Sequence, residues 1–308
     1  NWLFNMTGVP TGFGPGFFGG YGSGALGSNG EILNYQLGNG WLALWSSAAE
    51  PNTPLVATPG NTTDAFQYRP YGKNADMSQA YLWNITIPAL PAGSTIQKVI
   101  RDDMLLISTS PTPQGMMFGF GTQEYTVTAL GLNEDNLGQI LWQKTYQPPT
   151  GNKSRSLGPI DPVNRVFTMT EKETMQWYGF DLDSGNQLWG TVGDFRDFQY
   201  YGQVSNPPAP GHIYDGKLIV GGYGGELHCF DTLSGDLLWK YNDTYCGTET
   251  PWGLYTLFVA GIADGKVYCF SSEHSPNVPL YKGSMMRCIS VEDGSELWTL
   301  DSWYAIGS

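Results

Sequence analysis

The chain has 308 residues, of which 14% are charged, well below the roughly 25% of an ordinary soluble domain. Its 15 basic and 28 acidic residues give a net charge of −13, which argues against a nucleic-acid partner and against docking on an anionic membrane surface, since both need clustered Lys and Arg. Gly (41), Pro (20) and aromatic residues (14%) take the place of the missing charge, a composition that suits short strands and tight turns and is too apolar for disorder.

In chain order, Asn1-Trp2 begins in mid-pattern, with no start methionine, leader or apolar run of membrane length. The first unit is Asn29-Gly30-Glu31 with Ile32–Leu37, a turn Gly38-Asn39-Gly40, Trp41–Trp45, and an insertion from Ser46 to Gln79 before Tyr81-Leu82-Trp83. A second carries Met104–Ser108, a Pro/Gly/Met loop at Pro111–Gln123, Tyr125–Leu130 and Ile140–Tyr146. A third carries Arg165–Thr170, Trp177–Leu182 and Leu188–Val192. The clearest unit follows: Asp215-Gly216 opens Lys217–Gly222, Tyr223-Gly224-Gly225 turns into Glu226–Asp231, and Thr232–Gly235 turns into Asp236–Tyr241. Its innermost strand is expected beforehand, near the Pro-rich stretch Asn206–Gly211. The fifth carries Lys266–Ser271, a loop Ser272–Ser284, Met286–Val291 and Glu296–Leu300, and Ser302-Trp303-Tyr304 reads as the start of another.

Each unit ends in Leu-Trp, at Trp83, Trp142, Trp189, Trp239 and Trp298, with spacings of 59, 47, 50 and 59 residues. No window sustains a 3.6-residue apolar period, whereas alternating apolar runs of strand length are frequent. This period with aromatic punctuation predicts an all-β fold, a β-propeller of four-stranded antiparallel blades. The expected blades are about 17–88, 96–146, 157–193, 204–242 and 254–300 of a single propeller spanning 1–308, itself an internal stretch of a longer chain.

Five Asn-x-Ser/Thr sequons, at Asn5, Asn61, Asn84, Asn152 and Asn242, are candidate glycosylation sites and point to an extracellular or cell-surface address. Cys229, Cys246, Cys269 and Cys288 allow three pairings and form no CxxC. One or two disulfides among them, or four small buried hydrophobes on strands, are both open readings.

The turns before the outer strands resemble the tryptophan-docking motif, A-x-D-x-x-T-G-x-x-x-W, of pyrroloquinoline-quinone-like (PQQ-like) β-propeller repeats. Gly179-Phe180-Asp181 to Ser184-Gly185 to Trp189 matches with Gly for Ala and Ser for Thr, and Cys229-Phe230-Asp231 to Ser234-Gly235 to Trp239 matches with Cys for Ala. Cys288-Ile289-Ser290 to Gly294 to Trp298 keeps Gly and Trp but has Ser290 for Asp. The resemblance implies that Trp83, Trp142, Trp189, Trp239 and Trp298, with Gly185, Gly235, Gly294, Asp181 and Asp231, are structural docking residues. It also implies a ring of seven or eight blades, of which about five are visible here. Long insertions, aromatic richness and sequons look most like archaeal secreted or surface members.

Quinoprotein dehydrogenases, by the same resemblance, need bound calcium, an Asp base, a stacking Trp and often a disulfide between adjacent cysteines. The chain has no adjacent cysteines and no Asp, Glu and Asn set matching those positions, so no cofactor is expected, PQQ and Ca²⁺ included. There is no G-x-S-x-G elbow, and His212, His228 and His274 are the three histidines. His212 falls in a Pro/Gly turn and His228 on a strand. In a propeller the connections between blades emerge on the same face as those joining second and third strands. That face would gather Asp194, Phe195, Asp197, Tyr200, Tyr201, Glu249, Trp252, Glu273 and His274 as a candidate ligand rim, where rings and carboxylates suit carbohydrate or cation. The leading expectation is a non-enzymatic interaction or assembly module with protein or glycan partners at the cell surface. The alternatives are a quinone- or metal-dependent oxidoreductase and a carbohydrate-binding propeller of a larger secreted protein.

Overall fold

The structure, a computed structural model, describes residues 24–26, 32–46, 81–109, 124–151, 153, 155–171, 173–193, 211–221, 224–246, 253–272 and 285–301. Among these, every regular element is a strand. The first sheet holds β1 (Gly24–Leu26), β2 (Ile32–Gly38), β3 (Trp41–Ser46) and β4 (Tyr81–Thr86). The second holds β5 (Thr95–Ile100), β6 (Met104–Ser108), β7 (Tyr125–Gly131) and β8 (Ile140–Tyr146). The third holds β9 (Arg155–Asp161), β10 (Val166–Glu171), β11 (Gln176–Asp181) and β12 (Gln187–Val192). The fourth holds β13 (His212–Tyr214), β14 (Lys217–Gly221), β15 (Glu226–Asp231) and β16 (Leu237–Asn242), and the fifth β17 (Thr256–Ala263), β18 (Lys266–Ser272), β19 (Met285–Ser290) and β20 (Glu296–Asp301).

Each strand pairs antiparallel with its chain neighbours, so every sheet is a four-stranded meander, the blade of a β-propeller. One element lies beside its expected place: β13 starts at His212, after the Pro-rich stretch, because Pro supplies no ladder donor. The sheets fall into two compact units, one containing β1–β8 and the other β9–β20.

In the first unit, Leu33, Tyr35, Leu42 and Leu44 of the first sheet meet Leu105, Ile107, Leu130 and Leu132 of the second. The middle strand β6 is buried along its whole length. Its Met-Leu-Leu-Ile run therefore has no alternation, because both faces of the strand are covered. The outer strand β8 alternates half-buried and exposed residues instead, one face on the core and one in water. In the second unit, Trp177 and Trp189 of the third sheet pack with Leu218, Val220 and Phe230 of the fourth. On its other side the fourth sheet gives Ile219, Leu227, Cys229 and Trp239 to a cluster with Leu257, Val259, Val267, Cys269 and Ile289 of the fifth.

Burial contributes about 1.5–3 kcal/mol per large aliphatic side chain, so the stacked faces carry most of the stability. Leu106, fully buried on β6, is expected to cost about 2–5 kcal/mol when cut to Ala. Leu188, 47% exposed on β12, should change stability by no more than about 0.5 kcal/mol on the same substitution. Urea unfolding of the two variants checks the contrast.

Candidate functional site

The third, fourth and fifth sheets close their last hairpin in the same way. Asp181, Asp231 and Ser290 each accept, on the backbone carbonyl, the N–H of the glycine four residues on, Gly185, Gly235 and Gly294, at 2.8, 2.9 and 3.0 Å. All three glycines have positive φ (68°, 77° and 72°), a region that side-chain-bearing residues enter at a steric cost. The Asp231 carboxylate caps the turn by accepting from Leu233 N and Ser234 N, both at 2.8 Å. At the divergent position, Ser290 Oγ accepts from Glu292 N at 3.2 Å. A hydroxyl makes this local bond more weakly than a carboxylate, so Ser can replace Asp without changing the turn.

Onto the turns of the fourth and fifth sheets the preceding sheet lays an indole. Trp189 donates Nε1–H to Thr232 O at 2.8 Å, and Trp239 donates to Val291 O at 2.9 Å. Both rings are 8% exposed. A Cβ placed on Gly235 would fall 2.8 Å from Trp189 Cδ2, and one on Gly294 2.6 Å from Trp239 Cε3. Trp189 is enclosed from its own sheet as well, where a Cβ on its strand partner Gly179 would lie 2.1 Å from Cε2. The glycines thus serve twice, for backbone conformation and for room.

In the first unit the corresponding place is aliphatic. Gly138, at φ 75°, has Ile85 and Ile87 as its nearest neighbours, while Trp83 packs edge-on to Tyr35 at 6.1 Å. The turn from Leu132 to Gly138 is longer than those of the second unit and is held by Asn133, whose Oδ1 accepts from Asp135 N and Asn136 N. That added length brings a different part of the neighbouring strand over the glycine. Trp142 is half-buried on β8, opposite Ala129. Trp298 is 36% exposed and tilts toward Tyr268 at 6.2 Å.

Nothing in the spacing of the sequence points to Asp161 and Asn164, yet they complete the junction between third and fourth sheets. The buried Asp161 accepts on Oδ2 from Thr232 Oγ1 at 2.8 Å and from Asn164 Nδ2 at 3.0 Å. Thr232 therefore meets the third sheet twice, through its carbonyl and its hydroxyl. A residue pair 71 apart leaves no local signature.

At the opposite end of these sheets, where second strands stop and third strands start, lie three polar clusters. Glu171, buried at the end of β10, accepts from Arg155 Nη2 at 2.6 Å and Thr174 Oγ1 at 3.1 Å, with Lys153 Nζ at 3.4 Å. Burial works to raise its pKa, but hydrogen bonds from Arg155 and Tyr178 and the guanidinium charge outweigh it, and the carboxyl lies below its usual range. In the fourth sheet Glu226 Oε2 meets His228 Nε2 at 3.0 Å and Lys240 Nζ at 3.2 Å. Between fourth and fifth, Arg287, 5% exposed, contacts Asp243 Oδ1 at 2.8 Å and Glu296 Oε2 at 2.9 Å. An arginine between Met286 and Cys288, in a chain with so few cations, is the one hint of this cluster in the sequence.

His228 is buried, edge-on to Phe230. His212 begins β13 instead of lying in a turn, and burial lowers its pKa. All four cysteines are buried, and Cys229, Cys269 and Cys288 are free thiols. Register keeps Cys269 and Cys288 apart: Cys269 faces Arg287, and Cys288 faces Tyr268, so alternation sends their side chains to opposite faces. Burial pushes the Cys229 thiol up to about 12, which leaves it protonated and unreactive at neutral pH. Among the sequons, Asn84 on β4 and Asn242 at the end of β16 are exposed, while Asn5, Asn61 and Asn152 lie outside the described residues. So does the whole rim expected from topology: Asp194, Phe195, Asp197, Tyr200, Tyr201, Glu249, Trp252, Glu273 and His274. Among the described residues, no three His, Cys, Asp or Glu side chains are grouped to hold a metal ion.

No family profile matches the chain, and no curated protein does. Solved structures resemble it distantly. BamB from Moraxella catarrhalis aligns over 90% of this chain and 60% of its own, at 14% identity and a TM-score of 0.39. The WD40 β-propeller domain of Doa1 aligns over 92% and 68%, at 13% identity and 0.36. A quinohemoprotein alcohol dehydrogenase from Comamonas testosteroni aligns over 48% and 21%, at 20% identity and 0.34. The chain thus spans about three-fifths of the length of BamB. Its assignment as a β-propeller rests on its own sheets and indole contacts.

Trp189→Phe keeps a ring in place but removes the bond to Thr232 O and is expected to cost about 1–3 kcal/mol, because it leaves a buried carbonyl without that donor. Gly235→Ala, which adds a clash to a positive φ, should cost more than the about 1 kcal/mol of an ordinary Gly replacement. Trp298→Ala, at the more exposed ring, should cost less than Trp239→Ala, for which about 3–5 kcal/mol is expected. Denaturant unfolding of the four variants tests the order.

Proposed function

We propose that this chain is an extracellular or cell-surface propeller of PQQ-like repeats that acts as a non-enzymatic interaction or assembly module, with a protein partner. The observation that carries the reading is the outer strand of every sheet. The leucine before each repeat tryptophan is exposed: Leu82 by 54%, Leu141 by 38%, Leu188 by 47%, Leu238 by 46% and Leu297 by 49%. A single exposed leucine needs no explanation, but the same one on the outer strand of five sheets makes a repeated apolar feature. Proteins commonly blunt such edges with charge, and β16 and β20 carry exposed Lys240, Glu296 and Asp301, yet the exposed positions of β8 beside Leu141 are Gln143 and Thr145, and those of β4 beside Leu82 are Asn84 and Thr86. Side chains of this kind favour an uncharged protein surface over a polyanion. The polar groups buried in the second unit support the same reading, since Asp161 and Arg287 are engaged in holding sheets together and Glu171 in pairing with Arg155 inside the third sheet.

Exposure of Asn84 and Thr86 on one face of β4 supports a glycosylated, non-cytoplasmic protein. A photo-crosslinking residue at Leu141 or Leu188, in the full-length protein in its native cells, is expected to trap one defined protein partner. Leu141→Asp combined with Leu188→Asp should abolish its binding while leaving the unfolding midpoint near that of the parent. Dye-linked alcohol oxidation after loading with the quinone and Ca²⁺ would overturn the reading, as would the same partner bound undiminished by the double variant. Peptide mapping of the native protein should find glycan on Asn84.

A further inference from the structure

We propose that the junction between the fourth and fifth sheets is a proton-responsive latch, in which Asp243 takes up one proton in mild acid and the uptake tightens the contact. The geometry carries it. Asp243 follows β16 of the fourth sheet and its side chain is 0% exposed, against Arg287 on β19 of the fifth at 5%. Arg287 Nη2 lies 2.8 Å from Asp243 Oδ1 and Nη1 lies 2.9 Å from Glu296 Oε2. One guanidinium therefore faces two carboxylates, and with both ionised a buried cluster holds one uncompensated negative charge. Such a charge is costly away from water, and the usual relief is a proton.

The other neighbours do not supply the missing cation. Tyr241 of β16 directs its hydroxyl to Glu296 Oε2 and receives Arg287 Nη1 at 3.2 Å. Thr244 accepts from Arg287 Nη2, Ser271 of β18 meets Arg287 Nε at 3.4 Å, and Thr299 of β20 meets Nη1 at 3.3 Å and Glu296 Oε1. Cys269 of β18 is near enough for the Asp243 charge to raise its own pKa, which burial already lifts. The proton goes to Asp243 and not to Glu296. Asp243 has the fully buried carboxyl, whereas Glu296 is 36% exposed and takes donors from Tyr241, Thr299 and Arg287.

The titration agrees. Burial lifts the Asp243 carboxyl to about 6 against the pull of Thr244 N–H and Arg287, while the bonds to Glu296 hold that group below its usual value despite burial. For Asp243 the folded pKa exceeds the unfolded one, so the folded state binds the proton more tightly. Its stabilisation is complete below about pH 4 and is lost as pH rises through about 6. Glu171 and Glu296, with depressed values, act in the opposite sense, and their contribution disappears as pH falls below the usual carboxylate range. Between about pH 5 and 7.5 protonation of Asp243 stabilises the junction. His212 of the same sheet, whose pKa burial lowers, works the other way as pH falls, so the latch is read as the difference between parent and Asp243→Asn.

The test is the carboxyl ¹³C signal of Asp243 in the intact chain, assigned with Asp243→Asn, together with melting curves at pH 5.5 and 7.5. The expected midpoint is about 6, and acidification from pH 7.5 to 5.5 should raise the melting temperature of the parent by about 1–3 °C relative to that of Asp243→Asn. Asp243→Asn, in which Asn mimics the neutral acid, keeps the His212 titration and loses that of Asp243, so it supplies the baseline for the comparison. Glu296→Gln should lower the Asp243 midpoint measurably but leave it above the ordinary aspartate value, since the guanidinium then serves one carboxylate while burial, the larger cause, remains. A parent midpoint below about 4, or a Glu296→Gln variant whose Asp243 titrates where the parent's does, would overturn the latch even if the Asn variant does not fold.

Discussion

The structure of the second unit depends on one contact, an indole N–H given to a buried carbonyl on the turn of the next sheet. The contact needs three things at once. A glycine at positive φ must shape the turn and leave room for the ring, as Gly235 and Gly294 do. A carboxylate or hydroxyl must hold the turn, as Asp231 and Ser290 do. The outer strand must bring tryptophan to that height, as β12 and β16 do. Sheet faces packed only by aliphatic side chains could slide over one another, since the hydrophobic effect has no direction. The indole bond fixes their register, and the Asp161–Thr232 bond adds a second point on the same turn.

Much of this was legible in the sequence because it is local. The Leu-Trp spacing, the Asp-Gly hairpins and the aromatic–aliphatic alternation place β14–β16 and β18–β20 within a residue or two, since a strand and its turn are written in consecutive residues. Along the chain the turn motif sets Gly185 before Trp189 and Gly235 before Trp239, whereas in space the Trp189 and Trp239 rings lie against Gly235 and Gly294 of the following turns. Trp83 shows the limit. Its Leu-Trp phrase matches the others, but the longer turn at Asn133–Gly138 puts Ile85 and Ile87 over the glycine. A dipeptide reports the strand and does not report the height at which its neighbour's turn arrives.

The polar junctions were not legible, for the converse reason. Asp161 with Thr232, and Asp243 with Arg287, join residues 71 and 44 apart in sequence, and neither partner has a spacing that announces the other. The cysteines were equally undetermined. Their positions on strands fitted both readings, and only the register of β18 against β19 places Cys269 and Cys288 on opposite faces. The residues expected to form a ligand rim lie outside the described residues, so the functional reading rests on the outer edges and their repeated leucines.

Hydrogen exchange at the indole N–H groups tests the central claim most directly. If the rings of Trp189 and Trp239 lock successive sheets through Thr232 O and Val291 O, both indole protons should exchange only through unfolding of the whole unit, with a denaturant dependence equal to that of its slowest amides. Rapid exchange of either proton by local fluctuation, at a rate like that of an exposed indole and independent of denaturant, would contradict the account.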